Sequence, residues 1–315
     1  MAKHNVALLN GQVVQQPRFI KDAGGKIIRA MGPIGVIRGV RDFGNNVDNI
    51  KHDAPVIMTS NPELIKVMLT WEVGDMVEIK GSITTKDITK SCTCKHCGQK
   101  NMKKGSLVYV NPIFICVHEK RLSPEEGIKI LRSRCEISNH VTLIGAVCRE
   151  PQLYITDKGL AITTYQMAVR RKFRIATDSA EIKTDFPWIK SYGNIAKNDA
   201  NAIKKGAYVF IDGMIQTREL ERLQVCEHCG KEYRWCDFAM EIVPFATEYL
   251  RDYYTKEEIQ AREKEQTHAA TQQVFNENAI DENRPTDAPD YVEPDEPEEK
   301  TQNTDGDNVS DAFFD

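Results

Sequence analysis

No stretch of the 315 residues approaches the roughly 18 consecutive apolar side chains that a membrane-crossing helix requires, so no helical span is expected. GxxxxGK[ST] and HExxH are both missing, and no paired-carboxylate cluster sits on a recognisable scaffold. Nucleotide hydrolysis and zinc-peptidase chemistry therefore have no residues to carry them, and an enzyme is not expected. No leader-like segment opens the sequence either: MAKHNVALLN passes straight into strand-like residues, which points to a cytoplasmic protein. The nine cysteines are odd in number and mostly gathered into two short clusters, a pattern that favours metal over a disulfide framework in that compartment.

What is present is an uneven distribution of charge. The formal net charge is −4, but positions 281–315 hold 13 acidic and two basic residues, a local net of −11. The other 280 residues carry 40 basic and 33 acidic side chains, a net of +7. A basic body with an acidic end suits a nucleic-acid binder with a partner-binding tail. The tail is rich in proline and poor in aliphatics, so it cannot bury enough apolar surface to fold alone.

The stretch from Asn139 to Glu219 organises the rest. It reads as an apolar strand, a turn, a long strand ending in a basic run, an aromatic strand, a short helix, and a strand opened by Lys205-Gly206. That order suits a five-stranded barrel with one helix between strands three and four. The first half repeats the plan. Residues 5–20 turn at Gln16-Pro17, a second strand over 26–40 is expected to bend or bulge at Gly32-Pro33, and a third runs from Pro55 to Ser60. A helix follows over 63–71, started by Pro62 and Glu63, and then a fourth strand from Met76. Met76 to Gly81 mirrors Tyr208 to Gly213, and each is followed by CxHCG, at Cys94 to Gly98 and at Cys226 to Gly230. The chain is thus read as all-β with minor helices, one barrel duplicated at a period of about 130 residues. The expected domains are 1–120, the first barrel with its CxHCG loop; 121–136, a helical connector started by Ser123, Pro124 and Glu126; 137–252, the second barrel with its own CxHCG loop; 253–280, a polar helix or linker; and 281–315, a disordered acidic tail.

Binding a single strand requires cations for phosphates and flat rings for unpaired bases. Alternate side chains share one face of a strand, so Phe186, Trp188, Lys190 and Tyr192 point one way while Ile189 and Ser191 point the other. Arg170, Arg171, Lys172 and Arg174, beside Phe173, would follow phosphates. In the first barrel Arg29, Arg38, Arg41 and Phe43 are the analogous candidates.

NHVTLIG, the Thr184-Asp185-aromatic strand, YGNIA and KKGAYVFIDGMIQTR together resemble the bacterial single-stranded DNA-binding protein family, in its order and nearly at its spacing. The resemblance implies two tandem oligonucleotide-binding (OB) barrels and binding of single-stranded DNA with little sequence preference during replication, recombination or repair. Phe173, Phe186 and Tyr192 would occupy the family's base-stacking positions. Trp188 has no such counterpart and rests on strand alternation alone, while Leu220 stands where the family has a further aromatic. The terminal Asp311-Ala312-Phe313-Phe314-Asp315 resembles the family's tail, which docks on replication and repair proteins. Four barrels are usual in the family, which implies a homodimer here. A nucleoid-associated location would follow. A zinc-stabilised OB scaffold that binds protein rather than DNA is the alternative.

Two thiolates three residues apart on a glycine turn can grip one metal from one side, and zinc is the expected ion. Three arrangements are open. Cys94, Cys97, Cys226 and Cys229 could meet in one site; each loop could close its own, with Cys92 or Cys116 joining the first pair, Cys236 the second, and His96 or His228 as a further ligand; or no metal binds. The role would be structural.

Overall fold

The computed structural model describes residues 4–38, 52–172, 184–262 and 264. The first barrel contains β1 (His4–Val13), β2 (Arg18–Lys21), β3 (Ile27–Ile37), β4 (His52–Asp53), β5 (Val56–Thr59), α1 (Pro62–Met68), β6 (Met76–Thr93) and β7 (Lys100–Glu119). After α2 (Pro124–Ser133) and α3 (Cys135–Ser138), the second contains β8 (Asn139–Val147), β9 (Gln152–Ile155), β10 (Ala161–Arg170), β11 (Thr184–Asp185), β12 (Trp188–Tyr192), α4 (Gly193–Ala202), β13 (Tyr208–Val225) and β14 (Glu232–Arg251).

Each barrel closes the same way. In the first, β1 pairs antiparallel with β3 and β6, β3 with β5, and β6 with β7, and a parallel contact between Ile57 of β5 and Val110 of β7 completes the ring. In the second, β8 pairs with β10 and β13, β10 with β12, and β13 with β14, and Ile189 meets Ile242 in parallel. This is the OB fold. Strict alternation in β8 turns Val141, Leu143 and Val147 into the core while His140, Thr142 and Ile144 stay partly exposed. Tight crossings require glycine: a Cβ at Gly145 would lie 2.4 Å from the Ala168 carbonyl, and one at Gly213 2.4 Å from that of Val243. The helix starts follow the local sequence. Asn61 accepts from the Glu63 N–H ahead of α1, and Ser123 and Glu126 form a reciprocal capping box ahead of α2.

The barrels are joined as one sheet. β1 pairs antiparallel with β8, Asn5 opposite Leu143, Ala7 opposite Val141 and Leu9 opposite Asn139. Asn5 and Asn139 are equivalent in the repeat, and so are Leu9 and Leu143, so a pseudo-two-fold axis passes through the Ala7–Val141 pair. The two asparagines do the same work: Asn5 exchanges two 2.8 Å hydrogen bonds with the Ile83 backbone, and Asn139 exchanges bonds of 2.7 and 2.9 Å with that of Ile215. One contiguous apolar cluster runs from Leu9, Ile79 and Ile83 into Leu143, Ile211 and Ile215.

Two reciprocal clasps flank the axis. Asp53 takes two hydrogen bonds from Arg38, at 2.6 and 3.0 Å, and reaches across to the Thr217 N–H at 2.7 Å, while the Thr217 hydroxyl accepts from the Ala54 N–H at 2.9 Å. On the other side Asp185 takes two from Arg171, at 2.5 and 2.7 Å, and reaches the Thr85 N–H at 2.8 Å, while the Thr85 hydroxyl accepts from the Phe186 N–H at 2.9 Å. The connector is fixed as well: the Ser138 hydroxyl donates to the Asn10 carbonyl and accepts from the Ile37 N–H, and Leu131 packs with Ile37 and Met76.

Some local expectations change. β3 passes Gly32-Pro33 without a register shift, because Pro33 sits opposite Val56 with the next amide, of Ile34, bonding to Pro55; the irregularity lies at Ile20/Lys21 instead. α1 stops at Met68 rather than running to Trp71. The CxHCG segments are not long loops but the tips of hairpins whose strands run 18 and 20 residues. The barrels form one compact unit through Tyr254; the chain from Thr255 is a separate unit whose described part opens with Thr255 and Glu258 capping each other.

Removing the fully buried Asp53 carboxylate strands the Arg38 guanidinium and the Thr217 amide. Asp53→Ala is expected to cost about 3–5 kcal/mol of stability in a denaturant titration; a loss below about 1 kcal/mol would contradict the clasp.

Candidate nucleic-acid interface and metal centre

β12 alternates as its sequence requires. Ile189 and Ser191 are fully buried, while Trp188, Lys190 and Tyr192 lie partly exposed on the opposite face, and Phe186, just ahead of the strand, is 45% exposed. The Phe186 backbone is held at both ends, its N–H by Thr85 and its carbonyl by the Gln166 amide at 3.1 Å. Lys190 lies 3.9 Å from Glu241, which also takes two hydrogen bonds from Arg218, and its ammonium is 6.0 Å from the Tyr192 ring centroid. Burial holds the Lys190 amine below its ordinary range against the pull of Glu241, and burial likewise raises the Tyr192 phenol. Three rings on one rigid face form a surface on which planar groups can stack.

Sequence reading missed a fourth ring. Tyr154 of β9 sits opposite Ile162, which sits opposite Tyr192, so the three occupy one row across the sheet, and Tyr154 is 60% exposed. The Asp157-Lys158-Gly159 turn, which sets the β9–β10 register, was the available signal.

The cations divide. Arg170 and Lys172 are exposed at the end of β10. Arg171 is only 8% exposed and committed to Asp185, so its expected role along phosphates is corrected to a structural one. Arg38 is likewise taken up by Asp53, and Arg29 donates to the Ser60 hydroxyl at 3.3 Å. Phe173, Arg174, Arg41 and Phe43 lie outside the described residues, as do Asp311, Phe313 and Phe314.

The hairpin tips converge. In each, the glycine of CxHCG takes the left-handed conformation, φ 72° at Gly98 and 70° at Gly230, which curls the tip so that both thiols face one side. The Sγ atoms of Cys94, Cys97, Cys226 and Cys229 all lie within 4.8 Å of one another. Cys94 is 3.8 Å from Cys229 and Cys97 is 3.6 Å from Cys226, each contact crossing between barrels. A disulfide would need about 2.05 Å, whereas ligands about 2.3 Å from a tetrahedral ion stand about 3.8 Å apart. The cluster is therefore compatible with a structural metal. Outer partners orient it: the Asn101 amide donates to Cys226 at 3.5 Å, and the Asn101 carbonyl accepts from the Glu227 N–H at 3.1 Å. The further residues considered for separate sites fall outside this four-thiol group. Cys92 is buried against Tyr233, 3.1 Å from its hydroxyl; Cys116 and Cys236 are exposed on the hairpins; and His96 is turned to the Glu232 carbonyl.

Residues 138–228 match the Single-strand binding protein family. Single-stranded DNA-binding protein A of Bacillus subtilis (strain 168) is 37% identical over 86 residues, 27% of this chain and 49% of the relative. Single-stranded DNA-binding protein 2 of Listeria monocytogenes is 32% identical over 112 residues, 36% of this chain and 63% of the relative. The chain thus spans about half to two thirds of the length of these curated relatives. The crystal structure of the wild-type single-stranded DNA binding protein from Thermus aquaticus superimposes with a TM-score of 0.51 at 16% identity, covering 81% of this chain and 97% of that one, a likeness of fold.

Proposed function

We propose that the chain binds single-stranded DNA without catalysis and with little sequence preference, coating exposed strands during replication, recombination or repair. The observation that carries this reading is the β12 face, where Phe186, Trp188 and Tyr192 stand on the side opposite the buried Ile189 and Ser191. Bases would stack on these rings and on Phe173, with Arg170, Lys172 and Arg174 following the phosphate backbone. Tryptophan fluorescence titrated with an unstructured DNA oligonucleotide should be quenched, with a salt slope of about −0.7 per phosphate contact, and a duplex should compete weakly. Absence of quenching by either nucleic acid would leave the zinc-stabilised scaffold in its place.

The ion we assign to the four thiolates is zinc, shared between the hairpins as a structural staple. Metal analysis should find one zinc per chain. Cys94→Ser or Cys229→Ser should lose it and lower the melting temperature, whereas Cys116→Ser and Cys236→Ser should keep it. A metal-free native chain with an unaltered melting temperature would contradict the assignment.

The acidic segment 281–315, ending in Phe313 and Phe314, is the proposed docking element for replication or repair proteins, and its net −11 would also compete with DNA for the basic body. A chain lacking it should bind oligonucleotide more tightly at low salt; unchanged affinity would remove the competition. By analogy with the family, two chains would associate to bring four barrels together, read as twice the chain mass in light scattering on the same samples. A monomer there would remove the dimer.

A further inference from the structure

We infer that only the second barrel engages nucleic acid, and that the first is its structural partner with the corresponding face closed by Phe238. This inference rests on the single-strand reading above. The two barrels can be aligned residue by residue, because Asp53 and Asp185, Thr85 and Thr217, and Cys94 and Cys226 stand 132 positions apart and play matching parts. On that alignment Phe186, Trp188, Lys190 and Tyr192 correspond to Ala54, Val56, Met58 and Ser60. Neither a ring nor a charge remains at those four positions.

The replacements are also covered. Val56 and Met58 are 3% and 5% exposed and form one apolar cluster with Tyr109, itself 5% exposed. Phe238 packs against that cluster from β14 of the second barrel. The residue equivalent to Phe238 is Ser106, which has no ring to lay over the second barrel's platform. Tyr109 in turn corresponds to Glu241, the carboxylate that holds Lys190 and Arg218. One copy of the duplicated face is therefore open, aromatic and charged, and the other is aliphatic and sealed. Stacking needs an exposed ring face, and burying Val56, Met58 and Tyr109 removes what would otherwise be an exposed apolar patch. Arg38, a cation of the first barrel, is paired with Asp53.

The test counts strands on the full chain. Native mass spectrometry and calorimetry with a deoxythymidine oligonucleotide of about ten residues, within the span of one OB barrel, should give one strand per chain. Two equivalent strands per chain would overturn the inference while leaving the single-strand reading intact; no binding at any concentration would remove both. In parallel, the double variant Phe186→Ala, Tyr192→Ala should lose roughly 100-fold or more in affinity, and Arg29→Gln should stay within about twofold. A loss below about tenfold in the folded double variant, or a loss of about tenfold or more in Arg29→Gln, would place nucleic acid on the first barrel and overturn the inference.

Discussion

Everything in the folded body depends on the antiparallel pairing of β1 with β8 around Ala7 and Val141. Backbone ladders fix register to the residue, since a slip of one would turn each buried side chain to the opposite face. Here the register sets Asn5 against Leu143 and Leu9 against Asn139, so the two barrels are related by an internal two-fold rather than strung on a linker. The Asp53–Thr217 and Asp185–Thr85 clasps and the four-thiol cluster all follow from it, because each requires a residue of one barrel to meet its counterpart's neighbour in the other.

That symmetry is kept where it holds the molecule together and broken at the aromatic face of β12. The clasps match to within 0.1 Å at the aspartate–threonine and threonine–amide contacts, 2.7 against 2.8 Å and 2.9 against 2.9 Å. The thiol tips match as well, each closing on a left-handed glycine. The hairpin stems do not: Asp237 beside Phe238 forms ion pairs with Lys90 and Arg222, whereas the first hairpin has Gly105 and Ser106 at those positions. The Phe186 backbone is itself held by Thr85 of the other barrel, so the open platform is supported across the axis.

Much of this was legible in the sequence. The repeated strand and CxHCG strings gave away the duplication, and period-two alternation over Phe186 to Tyr192 separated ring-bearing from buried positions, because both signals are local. The partners of the arginines were not legible. A run such as Arg170 to Arg174 reads the same whether its members face solvent or a buried carboxylate, and Asp185 is recognised as the partner of Arg171 only once β10 and β11 are paired. The choice among cysteine arrangements, and the seal of Phe238 over Val56 and Met58, needed the relative placement of the two hairpins, which no stretch of either encodes alone. Pro33 misled because a proline interrupts a ladder only where its missing N–H would have been used.

The account's central claim is a symmetric frame with a single nucleic-acid face. It is tested most directly by ultraviolet cross-linking of the full chain to a thymidine oligonucleotide, with the attachment sites mapped by mass spectrometry. The predicted sites are Phe186, Trp188 and Tyr192, with none between Arg29 and Tyr109; cross-links distributed over both barrels would contradict it.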